Sequence, residues 1–133
     1  METMITLLTP TYNRARLLPR LYESLRRQTY ENFEWVIVDD GSTDGTHNVV
    51  EETARHCPFP IHYHYKENGG KHTAVNKGVR EARGELVFIA DSDDMLLPDS
   101  LQRVADEYAQ VAKDDSFCGV CGLDCDLGGK IVG

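Results

Sequence analysis

The stretch Phe88-Ile89-Ala90-Asp91-Ser92-Asp93-Asp94 sets three carboxylates within four residues, directly after an apolar run. Leu86 to Ala90 reads as a buried strand, and the acidic residues as the loop that leaves it. Carboxylates this close repel one another and are costly to bury, so the cluster is either spread into water or neutralised by a cation. Open α/β sheets place their ligands at the carboxyl ends of parallel strands. A hard divalent ion holding a diphosphate suits such a loop, because Mg²⁺ takes one or two carboxylates plus substrate phosphate oxygens. For this segment alone the alternative is a solvated acidic turn capping the next helix, with Asp99 after Pro98.

The rest of the chain narrows the choice. Its 133 residues suit a single domain, 1–133, around one core. With 41% hydrophobic and 27% charged residues it has the balance of a globular protein rather than a disordered one. A net charge of -8 excludes duplex nucleic acid as a partner, since no basic excess exists to neutralise phosphates. No apolar stretch has the length of a membrane span, and Met1-Glu2-Thr3-Met4 lacks the basic-then-apolar order of a secretion signal. Cytoplasmic residence is the expectation, with peripheral association at the inner face of a membrane compatible with it. Cys118, Cys121 and Cys125 lie close together but lack a second knuckle or a nearby His, so they and Cys57 read as free thiols rather than a zinc site.

Periodicity gives alternating strands and helices. Ile5 to Thr9 is an apolar strand stopped by Pro10, and Leu17, Leu21 and Leu25 mark an amphipathic helix over 14–28 with Asn13 as its cap. Phe33 to Val38 is a second strand, and a helix with Val49, Val50, Thr53 and Ala54 inward follows. Ile61 to Tyr65 alternates as a strand nearer a sheet edge would. Ala74, Gly78 and Ala82, with Val75 and Val79, form a small-residue face able to lie close on a sheet, and Gly84 ends that helix. A fourth helix is expected from Pro98 to Lys113, burying Leu101, Val104, Ala105, Tyr108, Val111 and Ala112. Phe117 to Leu123 reads as a strand, and 126–132 as a glycine turn into another.

Such alternation implies right-handed crossovers and a mainly parallel sheet covered on both faces. Asp39-Asp40 and Asp91 to Asp94 then both fall at carboxyl ends of strands and share one crevice. Tyr12, Asn13, Lys71 and His72 belong to the same edge.

Several segments together resemble family 2 of the inverting glycosyltransferases with the GT-A fold. They are Thr9-Pro10-Thr11-Tyr12-Asn13-Arg14, Leu25-Arg26-Arg27-Gln28-Thr29-Tyr30, Val36-Ile37-Val38-Asp39-Asp40-Gly41-Ser42-Thr43-Asp44, the run from Glu67 to Gly78, and Phe88 to Asp94. The resemblance covers nearly the whole chain, and it implies a Rossmann-like three-layer α/β sandwich. It further implies a nucleotide-sugar donor, usually a UDP-sugar, a Mn²⁺ or Mg²⁺ ion, and a saccharide, lipid-linked or protein acceptor. By position Tyr12 would stack on the base, Asp40 would accept a hydrogen bond from it, and Asp39 would shape the pocket. Asp91-Ser92-Asp93 matches the family's Asp-x-Asp motif. Asp93 is then the first candidate for direct metal coordination, with Asp91 toward the ribose or the metal's waters and Asp94 as a third possible ligand. The donor site implied also includes Pro10, Asn13, Lys71, His72 and Ser92.

Family members continue well beyond this length into an acceptor half that carries an Asp general base, and an inverting transfer needs such a base. Asp114, Asp115, Asp124 and Asp126 do not match its context, so a donor half truncated at its C-terminus is expected, with exposed sheet edges that favour self-association. Three readings compete with a transferase. A nucleotide-sugar-binding fragment without catalysis is favoured by the missing base. A phospho-receiver domain would need its acidic pair after the first strand, and a nucleotidyltransferase a glycine-rich loop where Pro10-Thr11-Tyr12-Asn13-Arg14 stands.

Overall fold

The computed structural model describes residues 2–117, 119, 125–126 and 128–131. These form β1 (Ile5–Thr11), α1 (Leu18–Arg26), β2 (Phe33–Asp39), α2 (Thr46–His56), β3 (Ile61–Tyr65), α3 (Lys71–Glu81), β4 (Leu86–Ile89) and α4 (Ser100–Val111). The strands make one sheet in the order β3-β2-β1-β4, and each pairing is parallel. Parallel neighbours can only be joined by crossovers, which is what the intervening helices supply.

Side chains alternate across a strand, so β1 sends Ile5 and Leu7 to one face and Leu8 to the other. The first face, with Phe33, Trp35 and Ile37, packs against Leu21 and Leu25 of α1, Val50 of α2 and Leu101 of α4. Trp35 can be buried there because its Nε1–H donates to Thr9 Oγ1 at 2.8 Å, while its ring stacks on Tyr22. The opposite face is covered by α3, whose Ala74 and Val75 lie on Leu8, Val36 and Val38. The expected small-residue contact holds at Ala74 and Gly78, where a Cβ on Gly78 would stand 2.0 Å from Leu8 Cδ1, but Val79 is 50% exposed and Ala82 is the cap beyond the helix.

Glu34 is a charged residue in the middle of this second face, only 1% exposed. Its carboxylate accepts from Thr6 Oγ1 (2.7 Å) and the Arg83 N–H (2.8 Å) and pairs with His62 Nε2 at 3.2 Å. These partners meet the rule that a buried charge must be paired, and they tie the start of β4 to the sheet.

Some expectations need correction. Among the described residues β4 is a sheet edge rather than a buried strand: α3 lies over β1 and β2, leaving Val87 39% and Ile89 49% exposed. Helix α1 starts at Leu18, not at residue 14, with Pro19 in its first turn and no side-chain cap. Asn13 does not cap it. Helix α4 is shorter than expected, and Ala112 at its end is exposed, as is Ala54 on α2. Gly84 is not a left-handed terminator of α3, whose cap is Ala82. It is needed because a Cβ there would meet Thr6 N at 2.6 Å and Met4 O at 2.8 Å.

The expected strand over Phe117 to Leu123 lies largely outside the described residues. Beyond it, Cys125 and Ile131 form an antiparallel bridge around Gly129, whose φ is +86°. Cys57 and Cys125 are free thiols; Cys118 and Cys121 lie outside the described residues.

Candidate functional site

At the carboxyl edge of the sheet β2, β1 and β4 open into a cleft of about 480 Å³. The backbone explains the opening. Thr11 O accepts from the Asp40 N–H, whereas Leu8 O accepts from the Ala90 N–H. Alternate residues of β1 therefore bond toward β2 and toward β4. Pro10 is next in the β4-facing series, has no N–H to give, and follows the last β1–β4 pair, Leu8 with Ile89. On the β2 side the ladder continues through Pro10 to Thr11 and Asp39, two residues further than Pro10 suggested.

The Asp39-Asp40 pair at the end of β2 is buried, with exposures of 1% and 4%. Asp39 accepts from the Ser42 N–H at 2.8 Å and from the Tyr63 hydroxyl. Burial, and then this contact with Asp39, hold the Tyr63 hydroxyl's pKa well above its ordinary value. Asp40 accepts from Lys66 Nζ (2.7 Å) and from the N–H groups of Gly69 and Gly70 (both 2.9 Å). Its carbonyl accepts from Asn68 Nδ2 at 2.9 Å. Burial pushes the Asp40 carboxyl up, but Lys66 and the two glycine N–H groups outweigh it and hold the group below its usual value. The loop from Lys66 to Gly70 is thus fastened around one carboxylate. Gly70 has a φ of +101°, a conformation open to glycine, and α3 begins immediately after it, with Lys71 in the cleft wall.

The loop after β4 is organised differently. Carboxylate oxygens of Asp91, Asp93 and Asp94 lie within 4.8 Å of one another. Asp94 Oδ2 accepts from the Asp91 N–H at 3.1 Å, and the Arg20 guanidinium donates to the Asp93 carbonyl. Lys71 Nζ stands 2.8 Å from Asp91 Oδ1, with side chains 61% and 40% exposed. An all-oxygen donor set at this spacing fits a hard divalent cation such as Mg²⁺ or Mn²⁺.

Among the residues expected at the site, Pro10, Tyr12, Asp40, Lys71, Asp91, Ser92 and Asp93 line the cleft together. Asp39 lies buried at the strand end beside it. His72 is exposed and outside the wall, as is Asp94. Asn13 adopts a φ of +51°, donates its N–H to Ser42 Oγ and accepts from the Thr43 N–H, both at 2.8 Å, so it joins two loops. Sequence reasoning missed Lys66, Asn68, Arg14 and Thr11. Lys66 reaches Asp40 through the strand register: parallel pairing of Asp39 with Tyr65 brings the next residues, 40 and 66, side by side. Thr11 is 3% exposed, and its Oγ1 is the buried side-chain polar atom without a partner among the described residues.

Comparison with known proteins identifies the family and the fold. The sequence matches the model of Glycosyl transferase family 2 over residues 6–124. An uncharacterized glycosyltransferase of Nostoc sp. is 38% identical over 104 residues, 78% of this chain and 32% of the relative. Among solved structures, S. aureus TarS 1-349 in complex with UDP-GlcNAc superposes with a TM-score of 0.76 at 31% identity, covering 84% of this chain and 32% of the 1-349 chain. The mannosyltransferase PcManGT of Pyrobaculum calidifontis, in complex with GDP-Man and Mn²⁺, gives 0.74 at 30% identity, covering 86% and 34%. The chain spans about a third of the length of these proteins. No helix among the described residues is long and apolar enough to cross a membrane. The all-parallel sheet matches the GT-A neighbours in shape, and the family match spans most of the sequence: the chain belongs to glycosyl transferase family 2.

Proposed function

We propose that this chain binds the donor of a glycosyl transfer, a sugar carried on a nucleoside diphosphate, with UDP the first candidate. One observation carries the reading: the Asp91 and Asp93 carboxylates, Asp40 and the Tyr12 ring line a single cleft. The complexes of the neighbours with UDP-GlcNAc, and with GDP-Man and Mn²⁺, support it.

Each residue has a task that follows from its surroundings. Tyr12, 48% exposed, offers an aromatic face to the base. The Asp40 carboxylate already accepts three hydrogen bonds and has room for about one more, from a base N–H. Asp39 holds the Ser42 turn that supports the base pocket. Asp93, Asp91 and Asp94 would hold the divalent ion, which would offset negative charge developing on the leaving diphosphate. Lys71, released from Asp91 when a cation takes that carboxylate, would turn to the phosphates. His72 and Asn13 frame the loops around them.

Transfer with inversion needs a base for the acceptor hydroxyl. Asp114 and Asp115 line a different groove, with Glu85 and Tyr108, and Asp126 accepts backbone N–H groups of its own turn. We therefore place the base, and recognition of a saccharide, lipid-linked or protein acceptor, in the part of the relatives that this chain does not match. Cytoplasmic residence and self-association through exposed sheet edges belong to the same proposal.

Calorimetric titration with UDP, UDP-sugars and GDP, with and without Mn²⁺, tests the reading. Metal-dependent binding of one of them is the expected result. Failure of every nucleoside diphosphate to bind the folded chain would overturn it. Binding with neither transfer nor donor hydrolysis would make the chain a donor-binding unit without activity of its own.

A further inference from the structure

We propose that Arg14, in addition to Lys71, is an anion-recognising residue of the cleft and takes phosphate oxygens of the bound donor; this rests on the donor-binding reading above. Among the described residues Arg14 and Lys71 are the cationic side chains of the cleft wall, and Lys66 and Arg20 reach wall residues from outside it; all but Arg14 are engaged by the protein. Lys66 is held by Asp40 at 2.7 Å, Lys71 by Asp91 at 2.8 Å, and Arg20 by the Asp93 carbonyl. Arg14 lines the cleft, and its guanidinium has no hydrogen-bond or ion-pair partner among the described residues.

The backbone around Arg14 is nonetheless held on both sides. Asn13 is fixed to Ser42 and Thr43 through two 2.8 Å hydrogen bonds, and the Ala15 N–H donates to Asp44 Oδ2 at 3.0 Å. The Arg14 carbonyl accepts from the N–H groups of Leu17 and Leu18 at 2.9 and 3.3 Å. Asn13 adopts a left-handed φ of +51°, uncommon outside glycine and best tolerated by residues such as Asn. Such conformations persist where the surroundings over-determine them, and they cluster at binding sites. A turn pinned at both neighbours therefore presents a side chain that the fold itself does not use. In a protein of net charge -8, an unpaired guanidinium facing a cleft with Asp40, Asp91 and Asp93 in its walls is free to meet a ligand anion. Its planar fork matches two phosphate oxygens, which a lysine does as a point charge only.

The test compares wild type, Arg14→Gln, Arg14→Lys and Arg16→Gln by calorimetry with UDP and with uridine, in Mn²⁺. Arg16 is exposed on the same turn but outside the cleft wall, so its variant carries the same charge change without the position. Arg14→Gln should weaken UDP about ten- to a hundredfold. Its uridine affinity and its melting temperature should stay at the wild-type values. Arg14→Lys should recover part of the loss, and Arg16→Gln should bind UDP within about twofold of wild type. Unchanged UDP affinity in Arg14→Gln, an equal loss for uridine, or an equal loss in Arg16→Gln would overturn the assignment. A phosphorylated acceptor offers the same chemistry, so a short-chain alkyl phosphate is titrated in parallel. Dependence of that ligand on Arg14, with UDP unaffected, would also overturn it. Failure of wild type to bind any nucleoside diphosphate would instead defeat the donor reading on which the inference stands.

Discussion

The two acidic motifs stand at the same edge of the same sheet, on either side of β1, and are used in opposite ways. Asp39 and Asp40 are buried, and each oxygen has a donor supplied by the fold: Ser42 and Tyr63 for one, Lys66, Gly69 and Gly70 for the other. Asp91, Asp93 and Asp94 are half-buried or exposed, and Asp91 pairs with Lys71 at the surface, where both side chains meet solvent. The first pair builds the cleft. The second cluster holds charge that the protein only partly neutralises. Counter-charge, rather than carboxylate content, separates an acidic motif that builds the fold from one available to a cation.

The sharpest way to break that comparison is to remove one carboxylate from each motif. Asp40→Ala should cost about 3–5 kcal/mol in urea unfolding, because Lys66, 19% exposed, loses its partner and two N–H groups lose their acceptor. Asp93→Ala should change stability by less than ~0.5 kcal/mol, as exposed substitutions do. Equal losses would show that both motifs are structural.

Acid provides a gentler test. The pKa values of Asp40 and Asp44 are lowered in the fold: burial raises each, and hydrogen bonds outweigh it. A lowered folded value means stabilisation that is fully present above the ordinary carboxylate value. It is lost as pH falls through the folded value. Unfolding should therefore become easier below about pH 4, and the slope should be shallower in Asp40→Asn.

The smallest effect concerns Lys71, which holds Asp91 through an exposed pair. Lys71→Met should raise Mn²⁺ affinity in the absence of nucleotide roughly two- to fivefold, since exposed pairs are weak. The same variant should bind UDP more weakly in the presence of Mn²⁺. A fall in both affinities would mean that Lys71 does not compete with the ion.

Much of this was legible in the sequence, and the reasons for the remainder are specific. Helical spacing of Leu17, Leu21 and Leu25, β-rich runs before each acidic motif, and the small face Ala74-Gly78 were enough for a parallel sheet with helices on both sides. The cleft is expected where the two acidic motifs leave the carboxyl ends of their strands, whereas the part Pro10 plays depends on its facing β4, which only the fold reveals. The exposure of Val87 and Ile89 was not, because an apolar run looks the same whether or not a helix covers both of its faces. Asn13 read as a helix cap from its neighbours in sequence, while its actual partners, Ser42 and Thr43, come from another loop. The engagement of Asp40 by Lys66 and the freedom of Arg14 are likewise facts about tertiary contacts. Both are invisible to a count of charges.

The most direct test of the division between the two motifs pairs two readouts on Asp93→Asn and Asp40→Asn: thermal unfolding, and titration of UDP with and without Mn²⁺. Asp93→Asn should melt with wild type and lose the Mn²⁺-dependent part of UDP binding, whereas Asp40→Asn should melt well below both. Metal-dependent binding retained in Asp93→Asn, or a melting temperature as low as that of Asp40→Asn, would contradict the account.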